Sequence, residues 1–315
     1  MRPVVRIAPF AGAALALAAT ACRGGETVAL GSMSPVPYHF DAPVPVSELA
    51  SSSRTDNPTL TGDLLEIYFT SDRDSGNGDV WSATRVSSSA PFGTPAPVTA
   101  VNSDGFETSS AISADGLTLW FGSDRAGGAG GVDIWVSQRA TRGDAWSAPV
   151  DVAALNSTAD DIPRPPGQHA LVMPMASTHT TSANPTAGNY QTYLAARAAA
   201  SAPFGVPAPI PELSYADRST VDGCLTDDGL TLFFSSTPLA PADGGAADAG
   251  APTSDLFVAS RRALGEPFST PQALDDLDTA ADERDPWLTP DGTTLYFTSD
   301  RGGALNIYTA LVQPR

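Results

Sequence analysis

One motif, aromatic-x-x-Pro-x-x-aliphatic-x-x-aliphatic, is written five times along the chain and limits its possible folds more than any other feature. The copies begin at Phe40, Phe92, Trp146, Phe204 and Phe268, giving spacings of 52, 54, 58 and 64 residues. Self-similarity at such a period marks a repeat architecture in which each unit buries its apolar face against the next. A second motif falls between the copies. It is Asp-Gly followed by an apolar run ending in Phe, at Asp115-Gly116, Asp228-Gly229 and Asp291-Gly292, with a swapped Gly62-Asp63 in the first repeat and Pro166-Gly167 in the third. Asp-Gly between apolar runs predicts a tight hairpin, because these residues tolerate the positive φ such a turn needs. A third motif opens the next strand: Asp79-Val80-Trp81, Asp133-Ile134-Trp135, Asp255-Leu256-Phe257 and Asn306-Ile307-Tyr308, with Gln191-Thr192-Tyr193 in the third repeat. Four copies then close on Arg85, Arg139, Arg197 and Arg261.

Each repeat therefore predicts four short strands, a to d, and no segment after the amino-terminal leader shows helical periodicity. The fold class is all-β: a five-bladed β-propeller of four-stranded antiparallel blades. The pattern opens with an orphan d strand over 40–49 and stops just after a c strand over 307–311. The orphan is expected to join the last blade and close the ring. The blades are expected at about 55–101, 104–155, 158–213, 217–277, and 282–312 with 38–49. Pro174, inside the second strand of the third repeat, removes a ladder donor, so that blade is expected to be bulged or shortened.

The stretch Leu288-Thr289-Pro290-Asp291-Gly292, then Leu295-Tyr296-Phe297-Thr298-Ser299-Asp300-Arg301-Gly302-Gly303 and Asn306-Ile307-Tyr308, resembles the TolB-type, WD-like β-propeller repeat of bacterial envelope proteins. Ser71-Asp72-Arg73 and Ser123-Asp124-Arg125 repeat the pattern, and the resemblance covers residues 38–315. It implies a periplasmic or surface-anchored binding scaffold. The chain departs from TolB in lacking its amino-terminal α/β domain and in counting five blades against six, so TolB's own partner does not carry over.

The first residues point to the cell envelope independently. Arg2 and Arg6 precede an uncharged stretch over 7–19, too short for a transmembrane helix and the right size for a signal-peptide core, so 1–21 is expected to be removed. Ala19-Thr20-Ala21-Cys22 supports an ordinary cleavage site or a lipobox; the cysteine favours lipidation at Cys22, although Ala19 stands where lipoproteins usually carry Leu. Residues 22–37 then read as a lipidated tether, reaching roughly 50 Å when extended. The expected address is the periplasm or cell surface, as an outer-membrane-anchored lipoprotein. If Cys22 is acylated, Cys224 has no disulfide partner, and its apolar neighbours predict a small buried side chain.

The formal charge of −18, from 17 Lys+Arg against 35 Asp+Glu, excludes a phosphate backbone as a natural partner and leaves membrane attachment to a lipid anchor. The d-to-a connectors and b-to-c loops share the face around the channel mouth. There the sequence gathers Asp56, Asp104, Glu107, Asp160, Asp161, Asp217, Asp222, Asp282, Glu283 and Asp285. These acids either form a face for a cation or basic partner, or cap the backbone of their own turns. The candidate binding face combines Arg73, Arg125 and Arg301 of the Ser-Asp-Arg turns with Asp104, Glu107, Asp160, Asp161, Asp217, Asp282 and Glu283. The structural alternative for Ser-Asp-Arg is that Asp caps the b-to-c turn while Arg pairs with a carboxylate.

Blades 3 and 4 lack that tripeptide and instead carry b-to-c insertions, about 176–189 and 236–254, which form a second interaction candidate or merely tolerated insertions. Asp72-x-Asp74 with Asn77 and Asp79 matches a calcium loop poorly, since Gly76 takes a ligand position and no Glu stands at the twelfth. His39, His169 and His179 lack ligand-spaced neighbours, and no Gly-x-Ser-x-Gly elbow occurs. No catalytic residue, metal or cofactor is therefore assigned. The expected function is a monomeric, non-catalytic scaffold for an envelope protein or polysaccharide. The rival is a glycosidase using mouth carboxylates, as five-bladed glycosidases do.

Overall fold

The computed structural model describes residues 38–74, 76–167, 169–180, 187–239 and 253–313. The expected cleavage site, Cys22 and the tether lie outside the described residues, as do 181–186 and 240–252 of the two insertions. The described chain is an all-β propeller of five four-stranded antiparallel sheets. The first strand, β1 (Val44–Pro45), is followed by blade 1, formed by β2 (Thr55–Leu60), β3 (Glu66–Ser71), β4 (Asp79–Thr84) and β5 (Ala96–Pro97). Blade 2 is β6 (Glu107–Ile112), β7 (Thr118–Ser123), β8 (Asp133–Gln138) and β9 (Val150–Asp151). Blade 3 is β10 (Asp161–Pro163), β11 (Val172–Ser177), β12 (Gln191–Ala196) and β13 (Ala208–Pro209). Blade 4 is β14 (Arg218–Leu225), β15 (Thr231–Pro238), β16 (Asp255–Ser260) and β17 (Gln272–Ala273). In blade 5, β18 (Glu283–Leu288), β19 (Thr294–Ser299) and β20 (Asn306–Leu311) are completed by β1, in the order β1-β20-β19-β18.

The three motifs form one device. Each Asp-Gly glycine turns the a-to-b hairpin at positive φ, 75° at Gly116, 70° at Gly229 and 72° at Gly292. The arginine closing strand c donates its Nε to a carbonyl of that hairpin: Arg85 to Leu64, Arg139 to Gly116, Arg197 to Ala170 and Arg261 to Gly229, at 2.6 to 2.8 Å. Its guanidinium also lies over the first aromatic ring of the next motif, 4.3 to 4.7 Å from the centroids of Phe92, Trp146, Phe204 and Phe268. Conserving one of these sequence motifs without the others would leave a cation or a ring without its contact.

The centre of each sheet is apolar on both faces because neighbouring blades cover it. Phe69, Phe121, Phe233 and Phe297 are fully buried, each worth on the order of 1.5–3 kcal/mol over an exposed ring. Cys224 is buried as expected; the Leu288 N–H donates to its Sγ at 3.3 Å and burial pushes the thiol pKa up.

The innermost strands differ from expectation in where they bulge. Register shifts occur in blades 1, 2, 4 and 5, at Asp56/Thr59, Thr108/Ala111, Val221/Cys224 and Arg284/Trp287. At these points Asn57, Ser109, Asp222 and Asp285 adopt φ of 55°, 50°, 62° and 58°. In blade 3, β11 runs through Pro174 in continuous register with β12, and the shortening falls on its partner, the three-residue β10. A residue's N–H and C=O point to the same side of a strand. Pro174 can therefore only accept from β10's side, which it does from the Arg164 N–H at 2.9 Å.

Candidate functional site

The start of each a strand and its own b-to-c turn lie at one end of the blade. Asp72, Asp124 and Thr178 donate their N–H groups to the carbonyls of Arg54, Phe106 and Asp160, at 3.0 to 3.3 Å. Glu107, Asp161 and Glu283 donate theirs to carbonyls of the preceding blade's turn, Gly78, Val132 and Ser254, at 2.7 to 2.8 Å. The mouth is thus a continuous hydrogen-bonded rim.

Most of the sequence-predicted face is committed to that rim. Arg125 folds back over Phe121 and Trp135, donates Nε to Ser123 Oγ at 2.9 Å, and pairs with the buried Glu107 at 2.9 Å. Arg301 does the same over Phe297 and Tyr308, with Ser299 and the buried Glu283. Arg73 lies over Phe69 and Trp81 and bonds Ser71 Oγ, with Thr55 Oγ1 replacing the carboxylate. In the Ser-Asp-Arg turns, Asp124 and Asp300 cap the preceding connector, accepting from the N–H groups of Phe106 and Asp282 at 2.7 and 3.0 Å. Asp72 instead holds the Arg54 guanidinium, at 2.7 Å, so the first carboxylate of the calcium-like loop already has a cation.

Asp161 accepts from Ser157 N and Oγ, and burial raises its pKa. Asp160 accepts from Val132 N at 2.9 Å, and Asp282 from Ser254 N at 2.8 Å while pairing with Arg284. Asp104 and Asp217 are exposed; Asp217 approaches Arg218 at 3.8 Å.

Asp56, Asp222 and Asp285, expected in connectors, belong to the innermost strands and meet at the axis of the ring. The residue that gathers them is Arg164, which directly follows β10 and is fully buried. Its Nη1 donates to Asn57 Oδ1 of blade 1 at 3.2 Å, and its Nη2 to the Pro286 carbonyl of blade 5 at 3.1 Å. A side chain from blade 3 therefore reaches blades 1 and 5 across the centre. Asn57 N–H donates to Asp285, Ser109 Oγ to Asn57, and Asp285 N–H to Ser235 Oγ, which itself donates to Asp222 at 2.8 Å, extending the network to all five blades. Burial, then the nearby Asp285 charge, pushes the Asp222 carboxyl up to about 7 against the pull of Arg164, Ser235 and Arg284. The same two causes raise Asp56 to about 6 against Arg54, Asn57 and Arg284. No motif in the sequence marks Arg164; its one signal is a charge between two prolines, Pro163 and Pro165, where the other repeats carry small or apolar residues or proline.

A second acidic junction joins blades 4 and 5, where carboxylate oxygens of Asp255, Asp278 and Glu283 lie within 4.8 Å of one another. These three are the described residues best placed to share a hard cation. Burial, with the charges of Asp255, Glu283 and Asp275, raises Asp278 to about 6.

No family model matches the chain, and no curated protein matches it by sequence. Solved structures share its fold at low identity. TolB from Acinetobacter baumannii is 15% identical with a TM-score of 0.50, over 85% of this chain and 56% of that one, so this chain spans little more than half of that TolB. An endo-arabinase from Bacteroides thetaiotaomicron VPI-5482 is 13% identical, with a TM-score of 0.53 over 86% and 97% of the two chains. An α-L-arabinofuranosidase from Podospora anserina, solved with cellotriose, is 9% identical with a TM-score of 0.52 over 88% and 97%. One architecture thus serves a TolB and two glycosidases, and function has to be argued from the side chains.

Proposed function

We propose that this chain is a non-catalytic binding scaffold of the cell envelope, exported, lipidated at Cys22, and engaging a protein or envelope polymer through its mouth face. The observation that carries this reading is the closed hub. Arg164 bridges three blades through the axis, and Asp56, Asp222 and Asp285 are 2 to 5% exposed. A retaining or inverting glycosidase needs two carboxyl groups open to a sugar and, for inversion, a water. The mouth carboxylates Glu107 and Glu283 are likewise occupied by arginine and serine donors. What remains available is the rim, including Asp104 and Asp217, on a rigid ring suited to recognition.

The glycosidase reading has one specific observation behind it: burial and the neighbouring Asp285 push the Asp222 carboxyl up to about 7, and a carboxyl raised in this way is what a general acid requires. One experiment separates the two. Purified protein is expected to leave a panel of arabinans, xylans and peptidoglycan fragments uncleaved; hydrolysis that disappears in Asp285→Asn would replace the scaffold by an enzyme. Expressed from the full sequence in a bacterial host, the chain is expected in the membrane fraction and Cys22→Ser in the soluble fraction. Equal fractionation of the two would remove the anchor.

A further inference from the structure

Three blades contain the same arginine socket. A cross-strand aromatic pair forms its wall: Phe69 with Trp81, Phe121 with Trp135, and Phe297 with Tyr308. The guanidinium lies 5.0 to 5.4 Å from these rings. A serine two residues after the Phe accepts from Nε, and the carbonyl ending the preceding d segment, Leu49, Val101 or Leu277, accepts from Nη2. In blades 2 and 5 the same serine also accepts from the arginine's own N–H, at 3.2 Å.

Blade 4 keeps this wall without its arginine. Phe234 pairs with Phe257, the rings 5.8 Å apart and 22° from parallel, and Ser236 follows two residues later. Two residues further on stands Pro238, which supplies neither a guanidinium nor an N–H. In blade 3 that place is taken by His179, whose N–H still donates to Ser177 Oγ at 3.1 Å. Among the described residues Ser236 has lost both donors: it is 3% exposed and its Oγ is buried with no hydrogen-bond partner there. Such an atom costs about 1–3 kcal/mol unless a donor reaches it. A groove of about 270 Å³ opens over this wall, lined by Phe234, Ser236 and Phe257 together with Tyr215, Asp217 and Arg218. Arg218 lies 5.8 Å from the Tyr215 ring and pairs with Asp217 at 3.8 Å, outside the aromatic pair. Residues 240–252, which connect β15 to β16, contain no Lys or Arg.

We propose that the blade 4 groove is an arginine socket filled from outside, by the guanidinium of an arginine on a partner polypeptide. It rests on the scaffold reading and names the partner's recognised group. The fit follows the three sockets filled from within: rings for the guanidinium face, Ser236 Oγ for Nε, and Asp217 at the rim for the remaining charge. The chain's negative charge favours the approach of a basic segment.

The test titrates the purified full chain with N-acetyl-L-argininamide and with its citrulline counterpart, which has the same shape and no charge, by calorimetry and ligand-observed NMR. The arginine compound is expected to bind saturably and at least about tenfold more tightly. Ser236→Ala and Phe257→Leu are each expected to weaken it about three- to tenfold. Absence of binding, equal binding of the citrulline compound, or indifference to both variants would overturn the proposal. Should Phe257→Leu melt early, Ser236→Ala, which removes one buried hydroxyl, decides. Failure here leaves the scaffold intact, whereas glycan hydrolysis would remove the scaffold whatever the socket binds.

Discussion

A buried charge is the costliest thing a propeller can hold at its axis, and Asp222 shows how this one manages it. Its backbone sits at φ 62°, which Asp and Asn tolerate, and its carboxyl faces Asp285 and Arg284 from β18, Arg164 after β10, Tyr190 before β12, and Ser235 on β15. Burial is the largest influence, so the folded carboxyl takes a proton up to about pH 7, whereas the unfolded one releases it near its ordinary 3.8. Between those values the folded state binds more protons, so this group's contribution to stability is full below the window and is lost as pH rises through it. Asp56, raised to about 6, acts in the same direction. Asp222→Asn keeps the backbone conformation and the Ser235 contact and removes the ionisation. The variant is expected to be about 1–3 kcal/mol more stable than the parent at pH 8 and closely matched at pH 4.5. Melting curves of both proteins across that range check it; parallel curves would show that Asp222 carries no such linkage.

At the scale of the strand, a single amide ties the d segment to the c strand beside it in blades 1 and 2. Asn102 accepts from Val80 N–H and donates to its carbonyl, at 2.9 and 3.1 Å; Asn156 does the same to Ile134, at 2.8 and 3.0 Å. At the equivalent place in blade 4 stands Asp278, which accepts from Leu256 but has no hydrogen to return, and its Oδ1 is buried without a partner. Asp278→Asn is therefore expected to stabilise the protein by about 1 kcal/mol at pH 8, the worth of one restored hydrogen bond, with a smaller gain at pH 5, where the carboxyl carries its own proton. Chemical denaturation at the two pH values tests it, and a loss of stability at pH 8 would mean that the carboxylate serves its acidic neighbours. The strands themselves were legible because their signals are local: Asp-Gly turns, alternating apolar runs and a fixed period. The bulges were not, since four different sequences, at Asn57, Ser109, Asp222 and Asp285, reach the same left-handed backbone. Nor could Arg164 be assigned to the hub, because its partners Asn57 and Pro286 lie 107 and 122 residues away and meet it only once the ring has closed.

For the molecule as a whole, closure depends on β1, two residues long but tied down along a much longer segment. Val44 and Pro45 pair with Thr309 and Tyr308, Phe40 bridges Val312, and the N–H groups of Asp41 and Val46 donate to Leu311 and Ile307. The segment also reaches both neighbouring blades. Phe40 N–H donates to Asp276 of blade 4, Tyr38 stands edge-on to Phe233 at 4.9 Å, and Leu49, fully buried, offers its carbonyl to Arg73 of blade 1. Removing it would strip three blades of contacts and expose β20 as an unpaired edge, a surface prone to pairing with another chain. Deleting 38–50 is thus expected to lower the melting temperature by well over ten degrees and to promote self-association. Leu49→Ala alone is expected to cost about 2–5 kcal/mol. Adding a peptide of residues 38–50 to the truncated protein is expected to recover part of the loss, because the edge it should bind belongs to a preformed sheet. A truncated protein that melts within two degrees of the parent and stays monomeric would mean that the ring is held by blade-to-blade packing and the axial Arg164 network, with no need of the closing strand.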